Sequence, residues 1–117
     1  MDQFVAAYKD ALSKYAQFSG RLSVGGYWRF FLVNFVIGLV LNLLGQAASI
    51  LAIVAIVYAL ALLIPSLAAG VRRLHDTGKS GWYLLIGLIP IVGFIVLIVW
   101  FVKAGDPAGN QYGAPVA

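Results

Sequence analysis

Residues 70–81 read GVRRLHDTGKSG. Arg72, Arg73, His75, Asp76 and Lys79 crowd into this stretch, whereas residues 30–71 and 82–102 on either side contain no Asp, Glu, Lys, Arg or His. A charged island between two long uncharged apolar runs is the pattern of a membrane protein, with lipid as the solvent for most of the chain.

Composition agrees. Of the 117 residues, 62% are hydrophobic and 10% charged, against about 45–50% and about 25% in an ordinary soluble domain. A chain this short buries only about 60–70% of its surface on folding in water, too little to hide so much apolar area. It is long enough for one domain, here a single polytopic unit over residues 1–117. There are no cysteines, which removes disulfides, thiolate metal sites and cysteine nucleophiles. The formal net charge is +4. Because the cations cluster at the ends of apolar runs, anionic lipid is the expected counterpart, and nucleic acid is not.

Working back from the island, residues 49–69 form an expected second span and residues 28–44 a first. About 20 residues cross the ~30 Å hydrocarbon core once. The uncharged connector Gly45-Gln46-Ala47-Ala48 makes them a tight hairpin. Ala48, Ala52, Ala55 and Ala59 form a small-residue stripe, and Gly38 and Gly45 offer a matching face on the first span. Small residues let helices approach closely in lipid, although alanine is also simply common in apolar helices. Pro65 cannot donate to the carbonyl of Ala61 and is expected to bend the end of the second span. The N-terminus is not expected to be a cleavable signal, because the first apolar run begins only near Trp28 and its length of about 20 residues fits a spanning helix better than a short signal core.

Upstream, Phe4, Tyr8, Ala11, Leu12, Tyr15 and Phe18 recur at spacings of three and four, opposite Lys9, Asp10, Ser13, Lys14 and Gln17. This predicts an amphipathic helix. It is expected to lie flat in the headgroups with its aromatic face toward acyl chains. The other placement is a soluble helix packed on the cytosolic loop. Residues 19–27 form a Gly/Ser hinge carrying Arg21.

Downstream, residues 82–102 predict a third span, N-capped by Ser80 and kinked by Gly87, Pro90 and Gly93. The Gly/Pro-rich residues after Lys103 read as turns. The fold class is therefore all-α membrane protein: an interfacial helix and three transmembrane helices. Trp28, Trp82 and Trp100 stand at predicted span ends as an aromatic belt. Lys9, Lys14, Arg21 and Arg29 precede the first span, while Arg72, Arg73 and Lys79 follow the second. The positive-inside rule then places residues 1–27 and the 70–81 loop in the cytoplasm and residues 103–117 outside.

The island invites several chemistries. Gly78-Lys79-Ser80 resembles the end of a P-loop, but Arg73 stands where the motif needs glycine, and no strand precedes it. A His75–Asp76–Ser80 catalytic set lacks the required geometry for sequence neighbours, and one histidine with one nearby aspartate cannot close a metal site. No catalytic residue, metal or cofactor is expected. Anion recognition fits better. Arg21, Arg72, Arg73 and Lys79 supply charge, and Ser80 begins a helix whose free N–H groups favour an anion. His75, Asp76, Gly78 and Gly81 are read as shaping the loop through turns and an ion pair with Arg72 or Arg73. The plainer reading leaves the cations as topology determinants alone. From Phe30 to Val102, outside the island, no Asp, Glu, Lys, Arg or His occurs, which argues against a coupled transporter.

The segment Phe18-Ser19-Gly20-Arg21 with Ser23 and Tyr27-Trp28, the run from Val71 to Trp82, Pro90 with Gly93, and Gly109-Asn110-Gln111-Tyr112-Gly113 together resemble the domain of unknown function 805 family. The match runs from about Phe18 to Gly113. The resemblance implies a small polytopic bacterial inner-membrane protein and brings no established activity. This chain has Val24 and Gly26 where the family usually has a basic and an acidic residue. The resemblance therefore implies a different partner for Arg21, and Asp76 is the expected one.

Three functions follow as expectations. The first is a non-enzymatic membrane module whose basic loop binds anionic lipid or a partner protein. The second is a small channel or transport subunit, made by homo-oligomers lined by Asn34, Asn42 and Tyr58. The third and weakest is a lipid-modifying enzyme using His75 and Asp76.

Overall fold

The computed structural model describes residues 2–115. Helix α1 spans Asp2–Ser13, α2 Val24–Ala47 and α3 Ser49–Asp76. A 3₁₀ helix, Gly81–Leu88, and helix α4, Val92–Val102, follow.

Helix α2 starts where Ser23 caps it, its hydroxyl oxygen accepting from the Gly26 N–H at 3.0 Å. It pairs antiparallel with α3 across a joint of one residue, Ala48, in extended backbone. The expected connector therefore shrinks, and Gly45 shows why. A Cβ there would lie 2.9 Å from the Ala52 Cα, so glycine is what lets the helices touch at the turn. Gly38 meets nothing within 4 Å. The expected glycine–alanine contact is thus made at Gly45 and absent at Gly38. Both helices are long and apolar enough to cross a membrane, and only 6% and 17% of their most apolar windows are buried by the rest of the molecule. They face outward, as spans do and as the core helices of a soluble protein do not.

The first correction concerns the island. Helix α3 continues through it to Asp76, so Arg72, Arg73, His75 and Asp76 are helical rather than looped. The helix ends in a Schellman motif: Lys79 N–H donates to Leu74 O and Gly78 N–H to His75 O, both at 3.0 Å, with Gly78 at φ +77°. Cations in a last helical turn also complement the helix dipole.

The second correction concerns the third span. Residues 82–102 are not one helix. The 3₁₀ helix and α4 fold back on each other as two arms. Pro90 cannot continue a helical ladder. Ile91 then turns at φ +64°, with Val92 N–H donating to Pro90 O at 2.7 Å, a strained γ-turn. Glycines let the arms close. A Cβ on Gly87 would lie 2.6 Å from Leu97 Cδ1, and the Ile86 carbonyl occupies the space a Cβ on Gly93 would need. Tyr83 and Trp100, near the two open ends, have ring centroids 5.7 Å apart.

The third correction concerns α1. Tyr8, Ala11 and Leu12 of its apolar face pack on protein, while Tyr15 and Phe18, past the helix, stay exposed. Ala11 is buried with Phe30, Leu62 and Ala69, flanked by Tyr8, Leu12 and Tyr58. The Tyr8 and Tyr58 hydroxyls bond at 2.8 Å. Just past α1, Tyr15 donates its hydroxyl to Ala61 O at 2.8 Å, the carbonyl that Pro65 leaves free.

Residues 103–115 run back over the end of α3. Asp106 N–H donates to Asp76 O at 2.7 Å, and Asn110 and Gly113 form a small antiparallel bridge. The tail, the hinge around Arg21 and the end of α3 therefore meet at one end of the molecule.

Candidate functional site

That meeting point is built on one carboxylate. Asp76 stands in the last turn of α3, with Arg73 one turn before it on the same face. Arg73 Nη1 donates to Asp76 Oδ2 at 2.8 Å, and Arg21 Nε, from the hinge, donates to Asp76 Oδ1 at 2.9 Å. The partner expected for Arg21 is thus the one it has.

The remaining donors go to backbone carbonyls. Arg21 reaches Ala108 O and Gly113 O at 3.1 Å, Asp106 O at 2.8 Å and Asp76 O at 3.3 Å. Arg73 reaches Phe101 O at 3.0 Å, Leu22 O at 3.1 Å and Lys103 O. These carbonyls come from the hinge, the end of α3, α4 and the tail, so two guanidiniums bind four stretches of chain together. Planar forks with five donors suit this role, and a lysine could not serve it.

Arg72 differs. It is 1% exposed. Its Nε donates to Ala68 O at 3.4 Å, and its Nη2 has no partner among the described residues. Asp10, the acid whose charge acts on it, pairs instead with Lys14 at 3.2 Å. Among the described residues, three buried guanidiniums stand against one buried carboxylate, and only Arg21 and Arg73 touch it.

His75 Nδ1 lies 2.9 Å from Gly20 O, so it carries the proton there, because a carbonyl only accepts. The His75 ring stacks on Tyr112 at 3.8 Å, and Asn110 Nδ2 donates to His75 O at 3.0 Å and to Asp106 Oδ2 at 2.8 Å. A Cβ on Gly81 would lie 2.6 Å from Val71 Cγ1, which holds the 3₁₀ arm tight against α3. The His75–Asp76–Ser80 set is not assembled. Both Asp76 oxygens accept from arginines, and Ser80 caps the 3₁₀ helix, its Oγ accepting from Trp82 N–H at 3.3 Å. No group of three metal-ligating side chains occurs among the described residues.

Of the cations singled out in the sequence, Arg21, Arg72 and Arg73 are therefore interior. Lys79 lies at the half-buried edge, 5.5 Å over the Trp100 ring. Burial pushes its ammonium below the ordinary lysine range, Lys103 adds to this, and Asp106 opposes it. Arg29 folds over Gly25 and makes no hydrogen bond or ion pair among the described residues. The tail residues Asp106, Asn110 and Tyr112 were not anticipated as part of the site. The only sequence signal was that two of them stand in the closing signature.

Two grooves mark the surface, one beside the cluster and one away from it along the spans. An apolar one of about 470 Å³ runs between α3 and the 3₁₀ arm, lined among others by Phe18, Leu67, Val71, Ser80, Trp82 and Leu85. A second, of about 250 Å³, lies on α2–α3 and gathers Asn34, Gly38, Asn42, Ala59, Tyr58 and Ser66.

Comparison with known proteins fits this picture of a membrane protein. The chain is 37% identical over 107 residues to inner membrane protein YhaI of Escherichia coli K12, covering 91% of each chain. It is 40% identical over 111 residues to inner membrane protein YhaH of the same organism, covering 91% of this chain and 92% of that one. No solved structure matches. The model of a family described as protein of unknown function, DUF805, matches residues 15–114. The arginine–aspartate cluster, its flanking spans and its returning tail all fall within that match, and the chain belongs to the DUF805 family.

Proposed function

We propose that this is a non-enzymatic inner-membrane module that holds an anionic phospholipid beside the cluster. The inner-membrane placement follows the names of YhaI and YhaH. The observation that carries the lipid reading is the apolar groove of about 470 Å³ that opens at Ser80, next to Lys79. Its lining of Phe18, Leu67, Val71 and Leu85 suits an acyl chain. Lys103 is close enough for its charge to disfavour the Lys79 ammonium. A phosphate between them relieves that repulsion. The buried arginines act as the frame that positions this edge.

The test is native mass spectrometry of protein extracted from its own membranes. Wild type is expected to retain phosphatidylglycerol or cardiolipin several-fold above their bulk share. Lys79→Gln with Lys103→Gln is expected to bring that ratio down to the bulk value, and an unchanged ratio rejects the reading.

A second reading has its own observation. Asn34, Asn42 and Tyr58 line one groove on the lipid-facing side of α2–α3, and polar side chains at membrane depth favour helix association. In this reading the groove is the contact or pore surface of a homo-oligomer. A monomer in mild detergent, with no ion flux in liposomes, removes it.

A further inference from the structure

We propose that residues 81–102 are a re-entrant hairpin. They enter one leaflet and leave by the same face, so that the hinge, the end of α3 and the tail share one compartment. This departs from the expectation of three crossings and opposite termini, and it stands whether or not Lys79 binds lipid.

Length comes first. Eight residues of 3₁₀ helix rise about 16 Å, and the 11 residues of α4 rise about 16 Å. Each arm reaches half of the ~30 Å core, the depth of one leaflet. An apolar helix this short is more often re-entrant or buried than spanning.

The occupant of its outer surface is acyl chain. Leu88, Ile91 and Phe94 around the tip are 80%, 76% and 63% exposed. Such a patch is unusual on a water-soluble surface, and α2 and α3 also expose large apolar side chains. At the base stand Trp82, Tyr83 and Trp100 with Lys79 and Lys103, the residue types of a headgroup boundary, and all at one level. In a single span Trp82 and Trp100 would mark opposite boundaries. Most of the turn's backbone is satisfied internally, as lipid favours: the Ile89, Val92, Gly93 and Ile95 N–H groups donate to nearby carbonyls and Pro90 has none to satisfy, while the Ile91 and Phe94 N–H groups have no backbone partner among the described residues.

The tail is held at the same end of the molecule. Arg21 and Arg73 take carbonyls from Phe101, Lys103, Asp106, Ala108 and Gly113, and His75 stacks on Tyr112. A straight span would carry those partners across the bilayer and leave both guanidiniums without them.

The chain has no cysteine, so single-cysteine variants report cleanly. Gln17→Cys, Gln46→Cys and Ala114→Cys are each probed with a membrane-impermeant maleimide in spheroplasts and in inverted vesicles. Ala114→Cys is expected to label from the face that labels Gln17→Cys, with Gln46→Cys labelling only from the other. Labelling of Ala114→Cys together with Gln46→Cys overturns the proposal. Fusions after residue 117 to a fluorescent protein that matures only in the cytoplasm, and to alkaline phosphatase, give a second readout that needs no substitution. Fluorescence with no phosphatase activity is expected, and phosphatase activity without fluorescence overturns it.

Discussion

Arg21 and Asp76, 55 positions apart, meet through a 2.9 Å bond in which both side chains are almost fully buried. This contact ties the hinge before the first span to the end of the second. Breaking a buried pair by removing one partner costs about 3–5 kcal/mol, because the other charge is left uncompensated. Here one carboxylate faces two guanidiniums. Asp76→Asn is therefore expected to lower stability by at least that range, read as the unfolding midpoint in detergent. Arg21→Lys is expected not to restore the wild-type midpoint when compared with Arg21→Ala, since an ammonium cannot fork to Asp76, Ala108 and Asp106 at once.

Neighbouring arginines should behave oppositely. Arg73→Met removes a guanidinium bonded to Asp76 and to three carbonyls, and a loss of about 3–5 kcal/mol is expected. Arg72→Met removes a buried guanidinium with one long bond and an unpartnered Nη2. Apolar replacement of such a group is often neutral or stabilising. Equal losses for the two variants in the same unfolding assay would count against the hydrogen-bond assignment.

Tyr15 and Pro65 should be coupled. Tyr15→Phe leaves Ala61 O without its donor and is expected to cost about 0.5–1.5 kcal/mol. With Pro65→Ala in the background, the helix itself can supply a donor to that carbonyl, so Tyr15→Phe should become nearly silent. A double-mutant cycle measures the difference, and a coupling energy near zero would show that Tyr15 acts elsewhere.

Two glycines of the first span separate helix packing from a free face. Gly45→Leu collides with Ala52 backbone and is expected to cost about 1–3 kcal/mol, as overpacking does. Gly38→Leu meets open space and should leave the monomer's unfolding midpoint unchanged. If Gly38→Leu alone shifts cross-linked species toward monomer, the groove beside it is an oligomer contact.

The two spans, the turn between them and the amphipathic first helix were all legible in the sequence, because run length and periodicity are local properties. The site was legible in its residues and only partly in its arrangement. Arg21, Arg73 and Asp76 stood out as charges in an apolar chain, and the Arg21–Asp76 pairing followed from the family resemblance. That the arginines face inward was not legible. Charge near a Gly-Lys-Ser-Gly run reads as loop, yet the Schellman turn at Gly78 comes late enough to keep Arg72 through Asp76 helical.

The sequence by itself determined that most of this chain lies in lipid, that its charges gather at the ends of apolar runs, and that residues 70–81 are the pivot. Only the tertiary structure decided that residues 82–102 double back and that the tail returns to Arg21. Both outcomes depend on contacts between distant residues. Leu97 fits over Gly87, Ile86 O against Gly93, and tail carbonyls against two guanidiniums. Carbonyls are the same in every residue, so no pattern of side-chain types along the chain could announce where those arginines would find their partners.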